Sequence, residues 1–210
     1  MLCVEACGLL PVQVALLLVP MLPKATGGFR PSGMFSAFYR LHCRCRRGVA
    51  DAWCLANDRS FFSSGRGRCV TDTVWRGAVR DEVVAPNDGQ GEAADLVSAS
   101  LFWDAKYFYD YFRHATLIVN AILLKAPLRV LRFCLQAYRC PRFVSVCGRT
   151  LRSILPSRSI VAGCTFADLW VRIYTLPGLD DLCRRHPRAD IDMYYDDLGL
   201  TVRAPRAKVR

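Results

Sequence analysis

The sequence has no Cys-x-x-Cys pair, no cysteine–histidine cluster at zinc spacing and no Asn-x-Ser/Thr sequon. Those absences exclude zinc ribbons and fingers, and they remove the usual mark of a secreted glycoprotein. There is no Gly-rich phosphate loop of the P-loop or dinucleotide type, no internal repeat and no low-complexity tract. P-loop NTPases, Rossmann enzymes and solenoids are thereby set aside. Eleven cysteines are present, at positions 3, 7, 43, 45, 54, 69, 134, 140, 147, 164 and 183. Their odd number and irregular spacing read as reduced thiols of an intracellular protein, in nucleus or cytoplasm, and not as a disulfide framework. Cys43-x-Cys45 comes nearest to a metal motif, and no zinc is expected.

Long apolar runs are also missing. Residues 9–22 are almost wholly apolar, but Glu5 and no Lys or Arg precede them, and no small-residue cleavage site follows. Pro11, Pro20 and Pro23 interrupt the run, which is too short to span a bilayer. A buried helix or strand is expected there, with no membrane partner and no secretion.

Positive charge, in contrast, is plentiful. The 210 residues hold 29 Lys and Arg against 18 Asp and Glu, a formal net charge of +11. Most of the bases are arginine, whose planar fork matches phosphate geometry, so a polyanion such as nucleic acid is the first partner to consider. An apolar and aromatic share of 52% is enough for a core, and the length fits one sizeable domain or two small ones.

Periodicity and breakers organise the chain as follows. Residues 34–53 read as a basic amphipathic helix. A Gly/Arg loop at 61–68 opens a second helix at 70–84. Residues 85–94 are a polar, Gly-rich loop. A strand over 96–103 ends at Asp104. Helical period returns at 107–124 and again, after Pro127, up to Tyr138. A short strand follows at 142–147, a helix at 163–176 and a hairpin at 190–203.

That hairpin carries the most informative residues. Asp196-Asp197 stands between Ile191-Asp192-Met193-Tyr194-Tyr195 and Leu198-Gly199-Leu200-Thr201-Val202, so two carboxylates fall at the tip of two strand-like runs. A hairpin turn can hold two oxygen ligands rigidly for a hard cation. Fifteen aspartates in the chain give about one adjacent pair by chance, so the pair alone says little. A second pair, Asp180-Asp181, serves as a control. It follows the turn signal Leu176-Pro177-Gly178 and reads as the acidic first turn of a short helix, a structural role. Asp104, taken alone, is better read as a helix N-cap than as a ligand.

The order of these pieces changes the weighing. A strand-terminal Asp, then Val161-Ala162-Gly163-Cys164, then an aromatic-x-Asp-Asp hairpin resembles the reverse transcriptases, particularly those of retroelements without long terminal repeats and their protist relatives. The resemblance extends from about residue 10 to residue 203. Leu22-Pro23-Lys24-Ala25-Thr26-Gly27-Gly28-Phe29-Arg30-Pro31 is similar to the family's fingers opening, with Ser32 where an aliphatic residue is usual. Ser36-Ala37-Phe38-Tyr39-Arg40 and the segment from Phe62 to Arg68 with Asp72 look like the elements that follow. Ala162 replaces the family's usual Gln before Gly163.

The resemblance implies an α+β polymerase palm, an antiparallel sheet backed by helices, with a partial fingers region and no thumb. Residues 1–95 would be fingers and 96–210 palm. It implies an RNA-directed DNA polymerase that extends a DNA primer on an RNA template from deoxynucleotide triphosphates. Asp104, Asp196 and Asp197 would be catalytic and would hold two Mg²⁺ ions for nucleotidyl transfer. Lys24 and Arg30 would meet the triphosphate, Tyr109 would exclude a 2′ hydroxyl, and Gly163 would allow close approach to the base pair. Arg66 and Arg68 would contact the template backbone. Two other readings stand beside this one: a catalytically inactive remnant of a retroelement enzyme, and a basic protein that binds nucleic acid or a membrane surface without catalysis.

Overall fold

The computed structural model of the protein describes residues 2–65, 67–84 and 96–205. In chain order its elements are α1 (Leu2–Cys7), β1 (Leu17–Pro23), β2 (Phe29–Pro31), α2 (Ala37–Ala56), α3 (Val70–Val84), β3 (Leu96–Asp104), α4 (His114–Leu123), α5 (Leu128–Arg139), β4 (Arg142–Val146), β5 (Arg149–Thr150), α6 (Ala167–Arg185), β6 (Ala189–Tyr194) and β7 (Asp197–Pro205). Short 3-10 turns occupy Val12–Val14 and Phe108–Tyr111. Helices and sheets are mixed, and among the described residues no helix is long and apolar enough to cross a membrane. The described cysteines are free thiols.

The chain forms two compact units, each assembled from two separate segments. The first comprises Met1–Asn57 and Tyr107–Pro177, the second Asp58–Lys106 and Gly178–Arg210. These compact units interleave along the chain.

In the first unit a four-stranded sheet runs in the order β2-β1-β4-β5. It is mixed: β1 pairs parallel with β4 and antiparallel with β2. Pro20 has no N–H for a ladder, and it marks the changeover, since β4 lies along Leu17 to Pro20 and β2 along Met21 to Pro23. The expected apolar segment is therefore a strand preceded by a 3-10 turn, but it is not the buried one expected: Leu17 is buried, whereas Leu9, Val12, Leu16 and Leu22 are exposed. α2 starts where Ser36 Oγ accepts from the Tyr39 amide at 3.3 Å. It buries Tyr39, His42, Cys43, Ala50 and Trp53 along one stripe. The Phe133 ring of α5 meets that stripe, 5.9 Å from Tyr39 and 3.9 Å from His42 between ring centroids. Trp170, Ile173, Leu117 and Phe112 complete this core.

One expected helix is broken here. Residues 107–113 are not helical along their length: Tyr107 takes the left-handed conformation (φ 57), a 3-10 turn follows, and Phe112 is extended. Tertiary contacts decide this. Phe112 is buried against Tyr174, at 4.2 Å between centroids. The carbonyls of Tyr109 and Phe112 accept from the Ile160 and Ser159 amides, at 3.0 and 2.8 Å. α4 then begins at His114.

In the second unit β3, β7 and β6 form an antiparallel sheet in that order. Ile191 and Met193 are buried on one face. The Met193 amide donates to Phe61 O at 2.7 Å, and the Ser63 amide to Met193 O at 2.9 Å, so Phe61 to Ser63 close the outer edge of β6. The expected loop at 85–94 lies outside the described residues.

α6 corrects another expectation. The Leu176-Pro177-Gly178 segment does not end a helix; α6 is continuous to Arg185 with Pro177 inside it. Asp180 and Asp181 therefore lie toward its C-terminal end and not in a first turn. A proline removes one helical hydrogen bond, and burial of Trp170, Ile173, Leu176 and Leu179 around it offsets that loss.

Candidate active site at an acidic hairpin tip

β6 and β7 are joined by two residues, Tyr195 and Asp196, with Tyr194 paired to Asp197. Tyr195 adopts φ 56, a strained conformation for a residue with a Cβ, and its ring packs edge-on against Tyr194 at 4.8 Å. Strain at a tip that carries carboxylates is a feature of sites where geometry is held for a purpose.

β3 pairs with β7 over its whole length, and its last residue, Asp104, stands directly opposite Asp197. The Ala105 amide donates to Asp196 O at 3.3 Å and ties the end of β3 to the turn. Opposed residues of neighbouring antiparallel strands have Cβ atoms about 4.5–5.5 Å apart. Residues separated by ninety-three positions in the sequence thus meet at one sheet end. Asp104 is a strand terminus paired across a ladder, not the N-cap that its isolated sequence context favours.

Electrostatics report the same convergence. The Asp197 carboxyl is pushed above the ordinary carboxylate range by partial burial and then by the charges of Asp196 and Asp104. Among the described residues, no Lys or Arg forms an ion pair with any of the three. The donor set is all oxygen, crowded and short of positive charge, which fits a hard divalent cation. The fit is one of chemistry and backbone placement. Among the described residues no three His, Cys, Asp or Glu side chains are already grouped to hold a metal ion.

The other expected site residues fall as follows. Lys24 and Arg30 are exposed on the β1–β2 hairpin of the first unit, with Arg30 opposite Leu22. The loop between them closes through the Lys24 amide to Gly28 O and the Gly27 amide to Lys24 O, both at 3.1 Å. Tyr109 is half-buried in the 3-10 turn of that unit, its ring 5.5 Å from Phe108. Gly163 does not open α6 but precedes it by four residues, in a turn at φ 93. A Cβ there would lie 3.3 Å from Gly33 O, so the glycine permits a close backbone approach within the unit. Arg66 lies outside the described residues.

Arg68 lies in the 58–68 loop of the second unit. Its guanidinium is ion-paired with Asp58 and donates to the carbonyls of Phe62 and Arg59. The fork expected for a template phosphate already closes the 58–68 loop. The signal for this in the sequence was Asp58 itself, ten residues away and easily passed over.

The control pair behaves differently. Asp180 accepts a bidentate fork from Arg59 at 3.0 and 3.1 Å, and Asp181 is ion-paired with Arg184 and, at 2.7 Å, with Arg185. The Arg184 hydrogen bond holds the Asp181 carboxyl below its usual range.

A mixed α/β fold with an antiparallel sheet that brings Asp104 and Asp197 together at one end is thus the class of structure in hand. No protein-family profile matches the sequence, and no curated protein matches it either. Among solved structures the fold is similar to that of telomerase. It matches apo telomerase from Candida tropicalis, truncated from its C-terminal domain, at TM-score 0.64 and 12% identity over 92% of this chain and 45% of that one. It also matches telomerase from Candida albicans and from Candida tropicalis, each in complex with the TWJ fragment of telomeric RNA. TM-scores are 0.62 and 0.63 and identities 11% and 10%, over 92% of this chain and 39% and 37% of those. The chain spans less than half the length of the telomerases that it resembles.

Proposed function

We propose that the protein is an RNA-directed DNA polymerase of the reverse transcriptase type, of retroelement kind, in which residues 1–95 serve as fingers and residues 96–210 as palm. The observation that carries this reading is the pairing of Asp104 with Asp197 at the tip of the aromatic-x-Asp-Asp hairpin. The fold shared with telomerases, which are reverse transcriptase relatives, supports it. Two of those structures are complexes with a fragment of telomeric RNA, which supports RNA binding here. The high positive charge of the chain suits a duplex of RNA template and DNA primer.

Asp104, Asp196 and Asp197 would hold two Mg²⁺ ions, which when bound supply Lewis-acid stabilisation of the charge that builds on the phosphates during an in-line displacement. The carboxylates are themselves the reason that cations enter: the charges of Asp196 and Asp104 help to raise the Asp197 pKa, and a bound cation would offset that repulsion. The paired ends of β3 and β7 fix the separation of Asp104 from Asp197 before substrate arrives. Lys24 and Arg30 are assigned to the triphosphate as point charge and fork. Tyr109 is assigned to exclude the 2′ hydroxyl and so to select deoxynucleotides. Gly163 is assigned to the nascent base pair, and Arg66 and Arg68 to the template backbone.

Primer extension tests the reading. The purified chain with Mg²⁺ and deoxynucleotides should lengthen a DNA primer annealed to RNA, and Asp196→Asn should abolish the product. Equal extension by that variant refutes the mechanism. Failure of the parent chain to extend, with duplex binding intact, identifies a non-catalytic relative.

A further inference from the structure

The 3-10 turn that carries Tyr109 has little to hold it from within. It is a single turn, it starts from Tyr107 in the left-handed conformation, and no side chain caps it. Two amides from a distant segment of the same unit bind it: Ile160 donates to Tyr109 O and Ser159 to Phe112 O. Ser159 is the unusual member of that pair. It takes φ 92, a conformation that a residue with a Cβ adopts only where its surroundings impose it. Here they do, because the carbonyl and hydroxyl of this buried residue are bonded as well as its amide. His114 Nε2 lies 2.7 Å from Ser159 O, and since a carbonyl only accepts, that nitrogen carries the proton. The other ring nitrogen, Nδ1, accepts from Arg139 Nε at 3.5 Å. Arg142 Nη2 donates to Ser159 Oγ at 2.6 Å and to Tyr138 O at 3.2 Å. His114 is therefore a neutral donor. Burial lowers its pKa, the Ser159 hydrogen bond opposes that shift, and the charges of Arg139 and Arg142 add to it.

We propose that His114 and Ser159 are positioning residues for Tyr109: they hold its turn so that the ring stands where a 2′ hydroxyl would have to go. The inference rests on the polymerase reading above, which assigns Tyr109 to that exclusion. Exclusion by contact depends steeply on distance, and a misplacement of about 1 Å can change a rate about a hundredfold. The ring cannot supply that precision by itself. The Phe108 ring that it meets edge-on belongs to the same turn, so that contact moves with it. The backbone of the turn is the part that can be fixed from outside, and the Ser159 and Ile160 amides reach it there. The strain at Ser159 is offset only while its bonds to His114 and Arg142 are made. Loss of either lets Ser159 relax, and the neighbouring Ile160 amide shifts with it.

The test is single-nucleotide extension of a DNA primer on an RNA template, comparing a deoxynucleotide triphosphate with its ribonucleotide counterpart as a ratio of kcat/KM. His114→Ala and Ser159→Gly should each lower that ratio by about tenfold, the size of one lost hydrogen bond, while kcat for the deoxynucleotide changes less. His114→Gln keeps a donor for the carbonyl and should keep most of the ratio. In a Tyr109→Ala background the ratio should already be low, and neither substitution should lower it further. Ser159→Gly decides the matter if His114→Ala does not fold, because φ 92 suits glycine and the variant should melt close to the parent. An unchanged ratio in Ser159→Gly overturns the proposal. So does a further drop of the same size in the Tyr109→Ala background, which would show an action elsewhere than through the ring. A parent chain that does not extend sinks the polymerase reading and this inference with it. A parent that extends, loses extension with Asp196→Asn and keeps its ratio in Ser159→Gly sinks the inference alone.

Discussion

Two Asp-Asp pairs lie within seventeen residues of each other, and they live in opposite electrostatic surroundings. Asp180 and Asp181 on α6 face Arg59, Arg184 and Arg185. Asp196 and Asp197 on the hairpin face Asp104. The Asp181 carboxyl is held below its ordinary value by its arginine neighbours, and the Asp197 carboxyl is raised by burial and by its acidic ones. The same dipeptide is thus a structural clamp in one place and an uncompensated cluster in the other. What separates them is the sign of the charges that the fold brings alongside, which no local window of sequence displays.

Exchange of charge at the two pairs should break this contrast, and the largest effect belongs to the hairpin. Asp196→Asn is expected to lower the rate of primer extension by more than about a hundredfold, because several kcal/mol of transition-state stabilisation go with the ligand. Asp181→Asn should leave the rate unchanged in the same assay. The next largest effect is at the clamp. Arg59→Ala removes a bidentate, half-exposed pair, so a loss of about 1 kcal/mol is expected in chemical denaturation, with the hairpin chemistry unaffected beyond that loss.

The pH dependence sharpens the comparison because the two signs are opposite. Folding raises the Asp197 pKa, so its share of stability is full below the ordinary carboxylate value and is lost as pH rises through the raised one. Asp197→Asn should then melt above the parent at neutral pH, and the two melting curves should converge in acid. Mg²⁺ should narrow the gap by stabilising the parent. Folding lowers the Asp181 pKa, so its share is present above the ordinary value and fades as pH falls through the lowered one. Asp181→Asn should therefore melt slightly below the parent at neutral pH, as solvent screens the pair, and Mg²⁺ should not alter it.

Much of the second unit was legible because its signals are local. Alternation, a terminal Asp and a two-residue link are all visible within a few residues, and the strand at Leu96–Asp104 and the hairpin followed them. Elements fixed by distant contacts were not legible. Pro177 looks like a terminator until Trp170, Ile173 and Leu179 are seen buried around it. The break at Tyr107 depends on Phe112 finding Tyr174 and on carbonyls that receive the Ser159 and Ile160 amides. Arg68 reads outward from its Gly/Arg context, and its ion pair with Asp58, ten residues away, is not legible there.

The central claim is that Asp104 and the Asp196–Asp197 pair serve one cation centre. Iron-directed backbone cleavage tests it without reference to activity: Fe²⁺ substituted for Mg²⁺, with ascorbate and peroxide, cuts the chain next to bound metal. Cuts near residue 104 and near residues 196–197 should appear together, fade together with added Mg²⁺ and vanish together in Asp196→Asn. Cutting at one of these places alone, or cutting that survives the substitution, would contradict the account.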